Sequence, residues 1–449
     1  MPQLSETSLV LDTLRRFVVE HPQVKRWLVA YSGGLDSSVL LKALRELQLD
    51  VEVEAVHVNH GLSDHANAWQ DHCQRCCQEL GVKLHTQSVE VQRQGRGLED
   101  AAREARYSVF ESLMDADTAL LLGHHADDQA ETLMMRLMRG SGTRGMAGIQ
   151  ASRPLAQGIL CRPLLSLEQE QLRQQAQAWQ LRWIDDESND SDAFDRNFLR
   201  LAVIPALKQR WPHLAQRAAQ TAHWCREADQ LVLEVAAEDL ARVQPRSERL
   251  GASLDWTVWR DLSDYRRGNL LRLWCESQRL DLPERVHLDE LSTQFLRQSP
   301  DSSGEVCWGN VCIRYFRQRL YCLAADASVS LAELPKPIEG WLGEPMAWGG
   351  GEISLQPVAE GGFRLPREGF DVSLREAGER CHPSWRDRSQ TLKKLLQESQ
   401  LEPWLRGIVP CLRERHQLAV VGDLWHCQGW QAEGERGYRL HWQLRRSLS

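Results

Sequence analysis

The chain has 449 residues, of which 42% are hydrophobic and 26% charged, and its formal net charge is −8. That length exceeds what one hydrophobic core organises, so two or three domains are expected, with the composition of an ordinary globular protein. The acidic balance excludes a chain that merely coats nucleic acid, and the absence of an apolar run of about eighteen residues excludes a membrane-spanning helix.

Met1 to Ser8 are polar and lack the basic and apolar regions of a signal peptide, so a cytoplasmic location is expected. The twelve cysteines follow no zinc spacing, and their scatter agrees with a reducing compartment.

In chain order, the apolar run 27–31 predicts a strand and 38–47 an amphipathic helix, with Ser32-Gly33-Gly34-Leu35-Asp36-Ser37-Ser38 between them. A strand, a glycine turn and a helix N-terminus make a cradle for phosphate. Gly33 and Gly34 let backbone N–H groups approach an anion, Ser32, Ser37 and Ser38 add hydroxyls, and Asp36 is suited to magnesium. The bland alternative is a capped turn, because Ser, Asp and Gly are ordinary N-cap residues. The run is not a Walker loop, since no G-x-x-x-x-G-K-[ST] occurs in the chain.

A second strand, 51–58, runs into Asn59-His60-Gly61-Leu62, and a helix follows at 65–80. Trp69, Cys73, Cys76, Cys77 and Leu80 fall at helical spacing, which places them on one buried face rather than around a metal. Then come a strand at 83–91 and a helix at 98–114, where Glu99 and Arg103 are spaced for an ion pair. Arg103 and Arg106 serve either a solvated helix face or a clamp on phosphate or carboxylate. The fourth strand, 118–123, leads into Gly123-His124-His125-Ala126-Asp127-Asp128-Gln129-Ala130-Glu131-Thr132 and a helix to 139. Its first-turn carboxylates favour the helix dipole, hold a second magnesium or orient an amine nucleophile.

A glycine-rich loop spans 140–148, the segment Arg162-Pro163-Leu164-Leu165 follows, and a helical pattern runs from about Leu199 to Ala241. The middle module reads as mainly helical, ending in strand-like runs at 305–315 and 320–323. Residues 324–351 read as a linker, and the last domain carries β-type runs such as 418–421. From Gly361 onward Lys and Arg outnumber Asp and Glu by 15 to 11, against the acidic trend of the rest. The expected division is therefore 1–214, 215–323 and 324–449. Alternating strands and helices in the first part predict a doubly wound parallel sheet, in which ligands bind beyond the carboxyl ends of the strands. Three polar clusters leave strands at that edge.

The run from Ser32 to Ser37 resembles the PP-loop, Ser-Gly-Gly-x-Asp-Ser, of the ATP pyrophosphatases, which implies cleavage of ATP to AMP and pyrophosphate with adenylation of an acceptor. The whole ordered set over roughly residues 25–205 resembles the tRNA(Ile)-lysidine synthase family. The later members of that set are the Glu99/Arg103/Arg106-Tyr107 pattern, Asp185-Asp186-Glu187-Ser188-Asn189 and Arg196-Asn197. Gly378-Glu379-Arg380, the run 391–398 and Pro403-Trp404-Leu405-Arg406 are similar to that family's C-terminal domain. Asp186-Glu187 departs from the expected order of the acidic pair.

The resemblance implies an α/β chain with an N-terminal doubly wound parallel sheet, a mainly helical middle domain and a small α+β C-terminal domain. It implies that ATP activates carbon 2 of the wobble cytidine in the CAU-anticodon isoleucine tRNA. The ε-amine of free lysine then displaces AMP, so that decoding moves from AUG to AUA and identity from methionine to isoleucine. ATP falls to Ser32, Gly33, Gly34, Leu35, Asp36 and Ser37, magnesium to Asp36 and Asp127, and catalysis to Asp36, His124, Asp128 and Glu131. Glu99, Arg103, Arg106, Arg196, Lys393, Lys394 and Arg406 are expected to bind substrate. In the tail, Trp385 and Trp404 stand among basic residues as either base-stacking faces or core. The competing readings are a tRNA sulfurtransferase using Cys73, Cys76 and Cys77, a non-catalytic RNA-binding protein, and a small-molecule amide ligase.

Overall fold

The computed structural model describes residues 8–61, 63, 65–89, 98–185, 194–297, 304–325, 336–432 and 437–444. The chain forms two compact units, Met1–Leu231 and Val232–Ser449.

The first unit is built on a six-stranded sheet. Its strands are β1 (Arg26–Ala30), β2 (Glu52–Asn59), β3 (Lys83–Ser88), β4 (Thr118–Leu121), β5 (Ser152–Leu155) and β6 (Gly158–Cys161), in the order β3-β2-β1-β4-β6-β5. All pairs are parallel except the β5–β6 hairpin. The chain winds outward from β1 to β3 and then crosses back to β4, so the switch point lies between β1 and β4. The central strands are short and apolar because both of their faces are covered. Trp27, Val29 and Tyr31 of the β1 segment pack on one side with Val39, Leu40 and Cys73, while Leu28 packs on the other with Phe110 and Leu160.

Helices α1 (Leu9–Val19), α2 (Leu35–Glu46), α3 (Ala66–Leu80), α4 (Leu98–Ser112) and α5 (Ala126–Met138) agree with the periodicity wherever it was read. The hairpin β5–β6 and the single turn α6 (Thr143–Met146) are too short to stand out in the sequence, whereas α1 and α7 (Gln169–Ala178), which the sequence reading leaves out, do carry apolar residues at helical spacing. Cys73 and Cys77 of α3 are fully buried, as their spacing predicts.

A continuous helical stretch from Asp195 to Arg210 contains one π-helical turn, Leu199–Val203. Pro205, which has no N–H to donate back, lies just beyond that turn. A long helix, Leu214–Arg242, follows.

In the second unit, helices Trp256–Asp261, Asp264–Ser277 and Arg285–Phe295 pack against a five-stranded antiparallel sheet around Trp259, Trp274 and Phe295. The strand-like runs read at 305–315 and 320–323 cover three strands of that sheet, whereas Arg246–Ser247 and Ala252–Asp255 are too short to show a period of two. Cys307 and Cys312 face each other across adjacent strands and are joined by a disulfide, against the expectation of unpaired thiols throughout. The C-terminal part has sheets of five, three and two strands around a core that includes Trp348, Phe370 and Leu396. Among the described residues, no helix is long and apolar enough to cross a membrane.

Candidate active site

The turn after β1 is shaped by glycine. Gly33 adopts φ +84°, and a Cβ there would lie 2.5 Å from Ile184 Cδ1 and 2.9 Å from Cys73 Sγ. Its carbonyl accepts from Ile184 N–H at 2.9 Å, which ties the turn to the segment after α7. Gly33→Ala is expected to cost roughly 1–3 kcal/mol through backbone strain and overpacking. A melting curve measures this, and an unchanged Tm would refute the constraint.

Gly34 caps α2, so the amides of its first turn are free to meet an anion. Ser37 Oγ donates to Gly34 O at 3.1 Å and lies 3.1 Å from Ser32 Oγ. Ser38 turns inward to Tyr31 and Gly33 O and does not join the mouth of the turn.

Gly123 brings β4 against this turn, since a Cβ on it would stand 3.1 Å from the Asp36 backbone. The two strand ends are thus pressed together at the switch point. Between them and the end of β2 lies a cavity of about 450 Å³. Ser32, Gly34, Asp36, Ser37, His124 and Asp128 supply polar groups to its lining, and Ala30, Val56, Val58 and Phe110 apolar ones. Arg103, Arg106 and Tyr107 of α4 complete the wall together with Trp69 and His60. Burial would raise the Tyr107 phenol, but a hydrogen bond from Arg153 and the Arg103 and Arg162 charges bring it below its ordinary value.

The acidic residues divide into two environments. Burial lifts the Asp36 carboxyl to about 6, with His125 pulling it down and Asp128 pushing it up. Asp36 Oδ1 is buried without a hydrogen-bond partner among the described residues. The His125 ring, 1% exposed, holds Nε2 3.6 Å from Asp36 and 3.5 Å from Asp128.

Asp128 accepts from His125 N–H at 2.9 Å and from Arg196 Nη2 at 2.8 Å. Burial works against its charge, but His125, His124 and Arg196 hold its pKa below the usual carboxylate value. Glu131, also 1% exposed, accepts from Arg196 Nε and Arg200 Nε, both at 2.7 Å. Two carboxylates and two guanidiniums therefore form one compact, charge-balanced cluster.

Asp127 is in neither place. It pairs with Lys208, accepts from Gln169 N–H at 2.8 Å, and fastens α5 to the start of α7. It does not line the cavity, so the structure does not bring the expected magnesium pair, Asp36 and Asp127, together there.

His124 is held by Arg162, whose Nε donates to Nδ1 at 3.0 Å. A guanidinium is always a donor, so Nδ1 is the acceptor and the neutral ring carries its proton on Nε2. Burial pulls the His124 pKa down to about 4. The neutral ring therefore offers an Nε2–H donor at neutral pH. Arg162→Met is expected to free the ring and to remove one of the charges that lower its pKa, so the pKa rises while burial still holds it below the ordinary value. A pH–rate profile should then show its acid limb moved to higher pH, and identical profiles for variant and parent would rule out the lock.

Two of the three thiols that a sulfur-transferring enzyme would use are poorly reactive, since burial pushes both Cys73 and Cys77 up to about 12.

Three family models match the chain: the PP-loop domain over residues 8–207, the TilS substrate binding domain over 254–321, and the TilS substrate C-terminal domain over 370–442. The tRNA(Ile)-lysidine synthase of Alkalilimnicola ehrlichii is 38% identical over 436 residues, covering 96% of this chain and 96% of that protein. That of Serratia proteamaculans is 38% identical, covering 93% and 95%, and that of Escherichia coli O157:H7 is 37% identical, covering 96% and 99%. The chain belongs to the tRNA(Ile)-lysidine synthase family. It is accordingly an ATP-dependent ligase of tRNA modification.

Arg200 lies within the PP-loop match and Lys208 just beyond its end, and the motifs singled out neither. Arg200 had a signal, because it follows Arg196 by one helical turn and shares its face. Lys208 had none. Leu35 packs into the core beside the turn, and the Glu99 side chain and residues 186–189 lie outside the described residues. In the second unit Lys393 and Lys394 are exposed. Arg406 instead donates to Leu401 O at 2.9 Å and lies over the Phe316 ring, and Arg413 is 5% exposed and paired with Glu379. Trp404 packs on Phe316 and Tyr321 as core, whereas Trp385 is exposed.

Proposed function

We propose that this cavity cleaves ATP against the wobble cytidine of the CAU-anticodon isoleucine tRNA and joins free lysine to carbon 2 of the activated base. The observation that carries the reading is the meeting of the β1 turn, the end of β2 and the start of α5 around one cavity at the switch point of the sheet. Its apolar lining suits an adenine, and the β1 turn offers helix amides and serine hydroxyls to phosphate.

Magnesium fits Asp36, whose buried Oδ1 has no hydrogen-bond partner among the described residues. When bound, it would neutralise the pyrophosphate that leaves. His124 donates from Nε2 to an oxygen at the reacting centre. Lysine carries both an ammonium and a carboxylate, and the cluster of Asp128, Glu131, Arg196 and Arg200 holds a partner for each sign. The low pKa of Asp128 suits it to holding an ammonium and makes it a poor proton acceptor. In the second unit, the exposed Lys393 and Lys394 contact tRNA phosphates.

The test is pyrophosphate release from ATP by the full chain with lysine and the CAU isoleucine tRNA transcript, each component omitted in turn. Release that requires the tRNA, with labelled lysine appearing in it, supports the reading. Release without lysine incorporation overturns the choice of nucleophile.

A further inference from the structure

Trp385 is the tryptophan with the most exposed side chain in the C-terminal part of the described chain, at 62%, and its backbone is held from both sides. Ser384 N–H donates to His426 O at 3.1 Å, Gln428 N–H to His382 O at 2.7 Å, and Arg386 N–H to Pro383 O at 3.1 Å. The His382 ring contacts Arg386 O at 2.8 Å, and Pro383 bridges to Cys427. Arg386 also reaches Glu398 at 2.6 Å, which ties the turn to the helix Leu392–Glu398. A large apolar ring is therefore presented to solvent by a turn that has little freedom to retract it. That arrangement forgoes the stabilisation that burying an indole supplies.

The surroundings indicate what the ring meets. Residues 375–394 contain six basic side chains and three acidic ones, in a chain whose overall charge is −8. Arg386 stands 5.9 Å from the Trp385 ring centre, and Arg375, Arg380, Arg388, Lys393 and Lys394 are exposed. A rigid aromatic face within a cationic patch is complementary to a base attached to a polyanion.

We infer that Trp385 is a stacking platform for an unpaired nucleobase of the bound tRNA, with the neighbouring Arg and Lys side chains on the adjoining phosphates. This rests on the functional reading above, because the tRNA is the polyanion concerned.

The test is the Kd of the full chain for the CAU isoleucine tRNA transcript, measured across a salt series. Trp385→Ala is expected to weaken binding about 5- to 30-fold, as loss of one stacked base does, with an unchanged salt slope. Trp385→Phe should stay within about threefold of the parent, and a Lys393→Ala, Lys394→Ala double variant should flatten the slope instead. Binding by Trp385→Ala within twofold of the parent overturns the proposal, as does equal weakening by Ala and Phe. If affinity holds while sedimentation shows lost self-association, the ring faces a second copy of the chain and the proposal falls. A parent chain that does not bind the tRNA removes the functional reading and the proposal together, whereas parent binding with an indifferent alanine variant removes the proposal alone.

Discussion

Asp36→Asn is expected to slow pyrophosphate release at least about 1000-fold while leaving tRNA affinity within a few-fold of the parent. The carboxylate stands where the β1 turn, α5 and the cavity meet, and its Oδ1 has no hydrogen-bond partner among the described residues. An amide keeps the shape and removes the charge that a magnesium–phosphate complex requires. The same substitution should stabilise the fold. The folded pKa of Asp36 is about 6, above its ordinary 3.8, so between those values the folded state binds more protons than the unfolded one. Stability therefore falls as pH rises through this window and stays reduced above it. Removing that burden is expected to gain about 1–2 kcal/mol at pH 7, after allowance for the part of the side chain that meets solvent. Denaturant titrations at pH 4 and pH 7 check the sign, and a variant less stable at pH 7 would contradict the account.

Glu131→Gln is the second large effect, and it should separate the two halves of the reaction. Glu131 lies outside the cavity lining and faces Arg196 and Arg200, so ATP cleavage is expected to stay within about tenfold of the parent. Lysine incorporation should fall at least about 100-fold, because the cluster loses a charge and the guanidiniums lose the acceptor that fixes them. The fold should weaken by about 1–3 kcal/mol, as expected when one member of a buried pair loses its charge. Parallel assays of pyrophosphate and of labelled lysine in tRNA decide it. Equal loss in both would place Glu131 in the ATP half and refute the division.

Much of the catalytic unit was legible because its signals are local. A strand, Ser32-Gly33-Gly34 and an amphipathic helix lie within about twenty residues, and the strand-end clusters at His60 and His124 follow from the direction that alternating strands and helices impose. The core reading of Cys73 and Cys77 also came from helical spacing alone, and both are fully buried.

What the sequence determined by itself is the class of fold, the phosphate-binding turn, the edge of the sheet where ligands gather, and the family. All of these are written in short-range periodicity and in the order of motifs. Tertiary structure alone decided which of two adjacent carboxylates serves the cavity. Asp127 and Asp128 point to different sides of α5, and Asp127 is claimed by Lys208 and Gln169, which are 81 and 42 residues away. It likewise decided that His124 is a donor, through Arg162 across 38 residues, and that Trp404 is core while Trp385 is exposed. The physical reason is common to these cases: a side chain's charge, tautomer and exposure depend on partners brought near by the fold, and sequence spacing carries no record of partners that distant.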